Sequence, residues 1–543
     1  MNTLAATTQA QHDVIILGGG LAGLTLALQL KQREPEIDIL VLERRTHPVP
    51  EAAHKVGESS VEIQAHYLSK VLGLEGYLQQ KHLKKFGFRF FFSDGSQDIA
   101  SVTELGASHV LPTASYQLDR GILENDLAAL ARERGIRYAD ASLVRDFSLG
   151  QAGATHHVRY ESQGASFEAE CTWLIDAAGR AGLIKRKLDL AQANDHDANA
   201  VWFRMGARID VNEWSDDADW LARCTPPNRW LSTNHLVGEG YWVWLIPLAS
   251  GSHSVGIVAD AALHPLDRIN SFEKAMAWLA VHQPQLHRDL ESKRDTLQDF
   301  AFFKRFSYGC KRVFSGTDRW ALTGEAGVFL DPFYSPGGDF ISMANTYITE
   351  LIAQDRAGAK ITRLATMYER LYFLFYESML PLYVGQYKLF GNAEVLPMKV
   401  VWDYTVYWGV MCQLFFQNRM TDVMAMARLQ SALADAQKLN VAMQKFLSAW
   451  GDVSPGHNPA QMLDQASLPW FAELNRGLTD ELDETAFNAR MEASMTQLIA
   501  LAADIVASAT AKHPELDASD VLAWLPERRT SAAPSMLQEL VAA

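Results

Sequence analysis

One stretch near the start of the chain limits the folds open to it. Asp13-Val14-Ile15-Ile16-Leu17 is a short β-branched run of the kind that fills a buried parallel strand, and Gly18-Gly19-Gly20-Leu21-Ala22-Gly23 follows at once. A helix pattern then runs from Leu24 to about Arg33. A second strand pattern, Ile37 to Leu42, ends on Glu43 and Arg44. Gly18 permits the tight turn, Gly20 lets the backbone approach a pyrophosphate, and Gly23 lets the helix pack closely on the strand. Glu43 stands where a carboxylate hydrogen-bonds an adenosine ribose. Strand, turn, helix, strand and terminal acid together predict an α/β dinucleotide-binding domain. Gly18, Gly20, Leu21, Ala22, Gly23, Glu43 and Arg44 are its expected ligand contacts.

Further segments fit a backbone that passes close to that ligand. Lys55-Val56-Gly57-Glu58-Ser59-Ser60 opens a helix running to about Leu72, and its amides either face the cofactor or simply cap the helix. Arg120, after Tyr116-Gln117-Leu118-Asp119, heads a helix through Leu127 and Leu130 and either contacts the cofactor or makes a surface salt bridge. The strand Cys171 to Ile175 leads into Asp176-Ala177-Ala178-Gly179-Arg180, and the strand Trp320 to Thr323 into Gly324-Glu325-Ala326-Gly327. Asp176, Gly179, Gly324 and Glu325 are therefore candidate cofactor residues. Val201 to Val258 reads as strands of an antiparallel sheet, and helix periods dominate from Phe340. The aromatic-rich stretch Met367 to Phe416 either walls a pocket or is plain core, Gly451 to Pro459 reads as a loop, and Glu481 to Lys512 as an amphipathic helix. The division expected is a dinucleotide-binding α/β part over 1–200, a sheet over 201–310, a return to the first part over 311–360 and a helical cover over 361–543. The tail after Arg528 is expected to be loosely held.

Composition excludes several classes. Lys plus Arg is 49 against 64 Asp plus Glu, a net charge of -15, so a nucleic-acid partner is not expected. Cys171, Cys224, Cys310 and Cys412 have no metal-ligand spacing and read as buried thiols of a cytoplasmic protein. The start of the chain lacks the pattern of a secretory signal. Val400 to Phe416 comes closest to membrane-spanning length, but Asp403 interrupts it, so no span is expected.

Two downstream segments and one lysine narrow the chemistry. Trp242-Val243-Trp244-Leu245-Ile246-Pro247 completes a WxWxIP pattern, and Phe329, Pro332, Ser335 and Gly337 complete FxxPxxSxG. Lys84 and Lys85 begin a strand with Phe86, Phe88 and Phe90, and adjacent lysines at a strand start are ordinarily solvated. With these marks the chain, from roughly Val14 to Ile352, resembles the flavin-dependent halogenases, a branch of the FAD monooxygenases of the para-hydroxybenzoate hydroxylase fold. The phenol-type members of that family carry a Lys-x-Gly-x-x-Phe pattern, which Lys85-Phe86-Gly87-Phe88-Arg89-Phe90 matches. The resemblance makes Lys85 the catalytic residue.

It also implies that reduced FAD, dioxygen and chloride or bromide give hypohalous acid, which passes to the Lys85 amine and then to an electron-rich ring. Trp242, Trp244 and Pro247 then belong to a wall between ring and flavin, unless the indoles are plain strand core. Phe329, Pro332, Tyr334, Ser335, Pro336 and Gly338, with the cofactor residue Gly337, form the halide and substrate site. Tyr334 stands where tryptophan halogenases carry glutamate, so a phenol or pyrrole fits better than free tryptophan. Asp339 puts a negative charge near the expected anion site unless it points away. The partners implied are a flavin reductase and an aromatic substrate, free or tethered to a carrier protein; a homodimer is also compatible. Hydroxylation or oxidation without halide is the alternative, and a flavin-binding protein without turnover a third.

Overall fold

Five strands run parallel in the order Trp320–Leu322, Ala165–Asp176, Ala10–Leu17, Ile39–Leu42 and Arg137–Ala139. Val14 to Leu17 are fully buried, as β-branched residues covered on both sheet faces must be. The computed structural model describes residues 10–52, 56–92, 98–226, 228–524, 535–538 and 540, so Lys55 and most of the tail after Arg528 lie outside the described residues. Helix Leu21–Arg33 follows the first strand and packs against helix Gly337–Arg356. It begins three residues earlier than the periodicity suggests, because Leu21, Ala22 and Gly23 already lie in its first turn. An antiparallel ribbon, Ser142–Ser148 with His156–Ser162, is attached to the first half of Ala165–Asp176.

A second sheet of eight strands runs Leu297–Phe303, Ala198–Met205, His253–Asp260, Tyr241–Pro247, Thr233–Gly238, Phe88–Phe92, Glu104–Gly106 and Met462–Asp464. Its two faces enter different cores, and the strand period decides which residue goes where. Tyr241, Val243 and Leu245 join one core, with Phe272 and Leu279 of helix Phe272–His282; Trp242, Trp244 and Ile246 join the other, toward the parallel sheet. The chain does not divide at residue 200. Phe88–Phe92 and Glu104–Gly106 leave the first part to enter the second sheet, and Met462–Asp464 returns from the helical region to pair with Glu104–Gly106.

Val400 to Phe416 lies within three consecutive helical segments, Val395–Val406, Tyr407–Cys412 and Gln413–Phe416, and is mostly buried. Among the described residues one helix, Glu484–Lys512, is long and apolar enough to cross a membrane by length and composition. Its buried residues Phe487, Met491, Leu498, Leu501, Ile505 and Ala509 recur at helical spacing, and it packs against Val395–Val406 and Val423–Val453. That is the face of an amphipathic core helix. All four cysteines are buried thiols.

Candidate active site

The two sheets enclose a cavity of about 770 Å³ that begins at the glycine turn and ends against Trp242 and Trp244. Each glycine of the turn has a distinct steric reason. Gly18 has φ +109°, and a Cβ there would lie 2.4 Å from Ala177 O. A Cβ at Gly23 would lie 2.0 Å from Gly18 O, whereas Gly20 has open space before it. Glu43 closes the second strand, its carboxylate accepting from the Gly19 and Arg45 amides at 2.8 Å each. At the far end, Gly337 also faces open space at the start of a helix of 20 residues. Two helix N-termini thus open on one cavity, and their unpaired amides favour anionic groups such as a pyrophosphate. Arg120 adds a cationic wall: it donates to Val56 O at 2.8 Å and to Glu124 at 2.7 Å, while its buried Nε has no partner. The residues present fit FAD.

Lys85 is the chemical centre beyond that cavity. Leu83–Lys84 pairs with Tyr116–Gln117, and Gly87 at φ +80° bends the chain before Phe88–Phe92. The bend leaves Lys84 exposed and puts Lys85 inside, 3% exposed. Its Nζ donates to Ser59 Oγ at 2.9 Å and to Ser60 O at 3.1 Å, and stands 3.4 Å from the centroid of the Phe88 ring. Ser59 lines the large cavity, and Phe88 lines a second, small pocket of about 60 Å³ with Tyr334, Tyr404 and Tyr407. The amine therefore lies between two spaces. Burial lowers its pKa to about 7, with Glu62 and Asp339 pulling the other way.

The tryptophan side of the large cavity is tied together by hydrogen bonds. Trp242 Nε1 donates to Tyr387 Oη at 3.0 Å; Tyr387 donates to Asp331, which also pairs with His196 at 2.6 Å. Asp331 Oδ1 accepts from the Phe333 amide at 2.9 Å and fixes the short turn Pro332–Tyr334. The two sequence patterns are thus one physical unit. Trp244 donates to Ser254 at 3.1 Å and lies over Gly256, where a Cβ would meet the indole at 2.1 Å. Ser335 adopts φ +54° without being glycine, a strained turn directly before helix Gly337–Arg356.

Asp339 does point away from the cavity amides. Its carboxyl accepts from the Gln64 amide at 3.0 Å and from Tyr407 Oη at 2.7 Å, and burial raises its pKa to about 8. Burial thus pushes it toward the uncharged form, against both hydrogen bonds.

The cavity is lined by Gly18, Gly20, Leu21, Ala22, Glu43, Arg44, Val56, Gly57, Glu58, Ser59, Arg120, Gly179, Gly324, Glu325 and Gly337, and by Trp242, Trp244, Phe329, Pro332, Ser335, Pro336 and Gly338. Other residues of the expected set stand elsewhere. Asp176 is fully buried behind the wall, accepting from the amides of Ala178 at 3.0 Å and Ile184 at 2.7 Å, so its carboxylate shapes the turn. Gly23 serves helix–strand packing, and Pro247 ends its strand opposite His253. Tyr334 lines the small pocket and donates to Asp403 at 2.8 Å. Glu58 lines the cavity, but its carboxylate is paired with Arg204. Sequence reasoning missed His235, which lines the cavity stacked on Phe90 with centroids 4.6 Å apart, its pKa lowered to about 3 by burial and then by Lys85. His235 belongs to no recognisable pattern, since it simply ends the polar run Ser232, Thr233 and Asn234.

Fold and cavity together define a flavoprotein of the FAD monooxygenase-like fold. The chain belongs to the FAD binding domain family, which it matches over residues 11–297. It is 24% identical over 452 residues to the flavin-dependent halogenase chlA of Dictyostelium discoideum, covering 76% of this chain and 73% of that one. It is 25% identical over 345 residues to a 1H-pyrrole-2-carbonyl peptidyl-carrier-protein chlorinase of Pseudomonas fluorescens, covering 60% of this chain and 72% of that one. The solved halogenase PltM, in complex with phloroglucinol and FAD, shares the fold with a TM-score of 0.62 at 18% identity, over 93% of this chain and 96% of that chain.

Proposed function

We propose that the protein is a halogenase that uses reduced FAD, dioxygen and chloride or bromide to halogenate an electron-rich aromatic compound through Lys85. The place of the Lys85 amine carries this reading: it is buried, bonded to a serine of the flavin cavity and set over a phenylalanine of the aromatic pocket. Bound reduced FAD supplies the oxygen chemistry that converts halide to hypohalous acid. The chain's own residues do the rest. Amides near Ser335, Gly337 and Gly338 hold the halide at the helix start. Trp242 and Trp244, locked by Tyr387 and Ser254, keep the ring off the flavin and so prevent direct hydroxylation. With a pKa near 7, Lys85 is available both as an ammonium that hydrogen-bonds the oxidant and as an amine that takes up halogen. Tyr334 commits its hydroxyl to Asp403, so the substrate must activate its own ring, as a phenol or pyrrole does. The carrier-bound pyrrole named for one relative supports a tethered aromatic as the substrate form, and a separate reductase as the source of reduced FAD completes the reading.

The test supplies the protein with a reductase, FAD, NADH, bromide and a panel of phenols, pyrroles and indoles. Products that carry bromine's isotope pair are expected; products that gain only oxygen would contradict the proposal.

A further inference from the structure

We infer that the Phe88 ring is a gate between the aromatic pocket and the Lys85 amine, opened by the substrate ring as it enters, an inference that rests on the halogenase reading above. A buried apolar cavity that binds benzene measures about 150 Å³. The aromatic pocket measures about 60 Å³, so part of its wall must move before an aromatic substrate fits.

Five aromatic side chains line that pocket: Phe88, Tyr334, Phe375, Tyr404 and Tyr407. Two are tied by hydrogen bonds. Tyr334 donates to Asp403 at 2.8 Å; Tyr407 donates to Asp339 at 2.7 Å and accepts from the Ile63 amide at 3.1 Å. Two more pack closely on a neighbour, Phe375 with its centroid 4.8 Å from that of Phe340 and Tyr404 4.7 Å from Trp408. Phe88 has no polar group to anchor it, and its nearest aromatic ring is His235 at 5.2 Å.

Phe88 is also what shuts off the lysine. Lys85 itself lines neither cavity. Its ammonium has three hydrogens; Ser59 Oγ and Ser60 O take two, and the face of Phe88, 3.4 Å from Nζ, takes the third. A Cβ at the preceding Gly87 would meet nothing within 4 Å, so the backbone there has room to follow the ring. One movement of Phe88 therefore enlarges the pocket, opens it to the amine and frees a hydrogen of Nζ for the group that has come in.

A covered amine has a chemical use. Tyr334, Tyr404 and Tyr407 are phenols, the kind of ring that hypohalous acid attacks, and they stand in the pocket before any substrate does. With Phe88 over Nζ, an oxidant held at the amine is screened from them until a substrate ring has filled the pocket.

The test uses the FAD-loaded protein, oxidised and free of halide, with phenol as ligand and cyanate as probe of the amine. Phe88→Ala should bind phenol about tenfold more tightly than wild type, because no ring has to be displaced. A plain wall would give the opposite sign, since the variant loses a contact with the ligand. Without ligand, carbamylation of Lys85, followed by peptide mass, should be about tenfold faster in Phe88→Ala. Phe88→Leu keeps more of the core volume and should move both readouts the same way by less. During turnover with reductase, NADH and bromide but no aromatic substrate, Phe88→Ala should brominate Tyr334, Tyr404 or Tyr407, which the wild type leaves unmodified. Weaker phenol binding by both variants, phenol binding by no form of the protein, carbamylation of Lys85 at the wild-type rate in both variants, or equal tyrosine bromination in wild type and Phe88→Ala would overturn the inference. A wild type that brominates no aromatic compound, while phenol binding and carbamylation respond as expected, would sink the halogenase reading and leave the movement of Phe88 standing.

Discussion

The flavin end of the cavity is held by backbone and the lysine end by side chains. At the flavin end, carboxylates are satisfied by backbone amides: Glu43 by Gly19 and Arg45, Asp176 by Ala178 and Ile184. Its shape is fixed by glycines that no side chain can replace. Burial pushes ionisable groups toward the neutral form at both ends, Asp176 up to about 6 at the flavin end, and furthest at the lysine end: Lys85 down to about 7, Asp339 up to about 8, Glu62 upward. The first arrangement makes a rigid binding site. The second stores reactivity at a cost in stability, as functional sites commonly do.

Substitutions at the two ends should therefore fail differently. The largest effect belongs to Gly23→Ala, whose Cβ would meet Gly18 O at 2.0 Å. It should destabilise the protein by about 4 kcal/mol or more, seen as lost FAD per chain and an earlier urea midpoint. Trp242→Phe removes the bond to Tyr387 and should cost about 1 kcal/mol while keeping FAD. Its signature is a higher ratio of trapped hypohalous acid to halogenated ring.

A third effect is a pH dependence. The Asp339 carboxyl keeps its proton in the fold up to about pH 8, against an ordinary value of 3.8, so the native state binds more protons than the unfolded chain over that window and stability falls as pH rises through it. Asp339→Asn should flatten this fall, with little change at pH 4 and a gain relative to wild type by pH 8, measured by urea unfolding across the range. Lys85 works in the opposite sense. Its depressed pKa makes stability rise with pH from about 7 toward its ordinary value of 10.5.

The same contrast explains what the sequence disclosed. The glycine turn, the ribose acid and the tryptophan pattern are local: strand period and turn sterics place Gly18, Gly20, Gly23, Trp242 and Trp244 without reference to the rest of the chain. The lysine end is not local. Lys84 and Lys85 look alike as neighbours, and pairing with Tyr116–Gln117 followed by the bend at Gly87 decides which is buried. Family resemblance selected Lys85; residue patterning alone did not. Asp339 was visible as a charge near the halide segment, but its shift toward the neutral form comes from burial, against the bond from Tyr407, 68 positions away, and burial at that depth is not written in the local sequence. Met462–Asp464 escaped notice because three residues between helices carry no period to read.

The central claim is that an oxidant formed at the flavin reaches its target through the Lys85 amine. Lys85→Ala, assayed with the diketone trap and the preferred aromatic substrate together, tests it most directly. The account predicts that aromatic halogenation falls by about 10³-fold or more while trapped hypohalous acid continues to form. Full, regioselective halogenation by Lys85→Ala would contradict it.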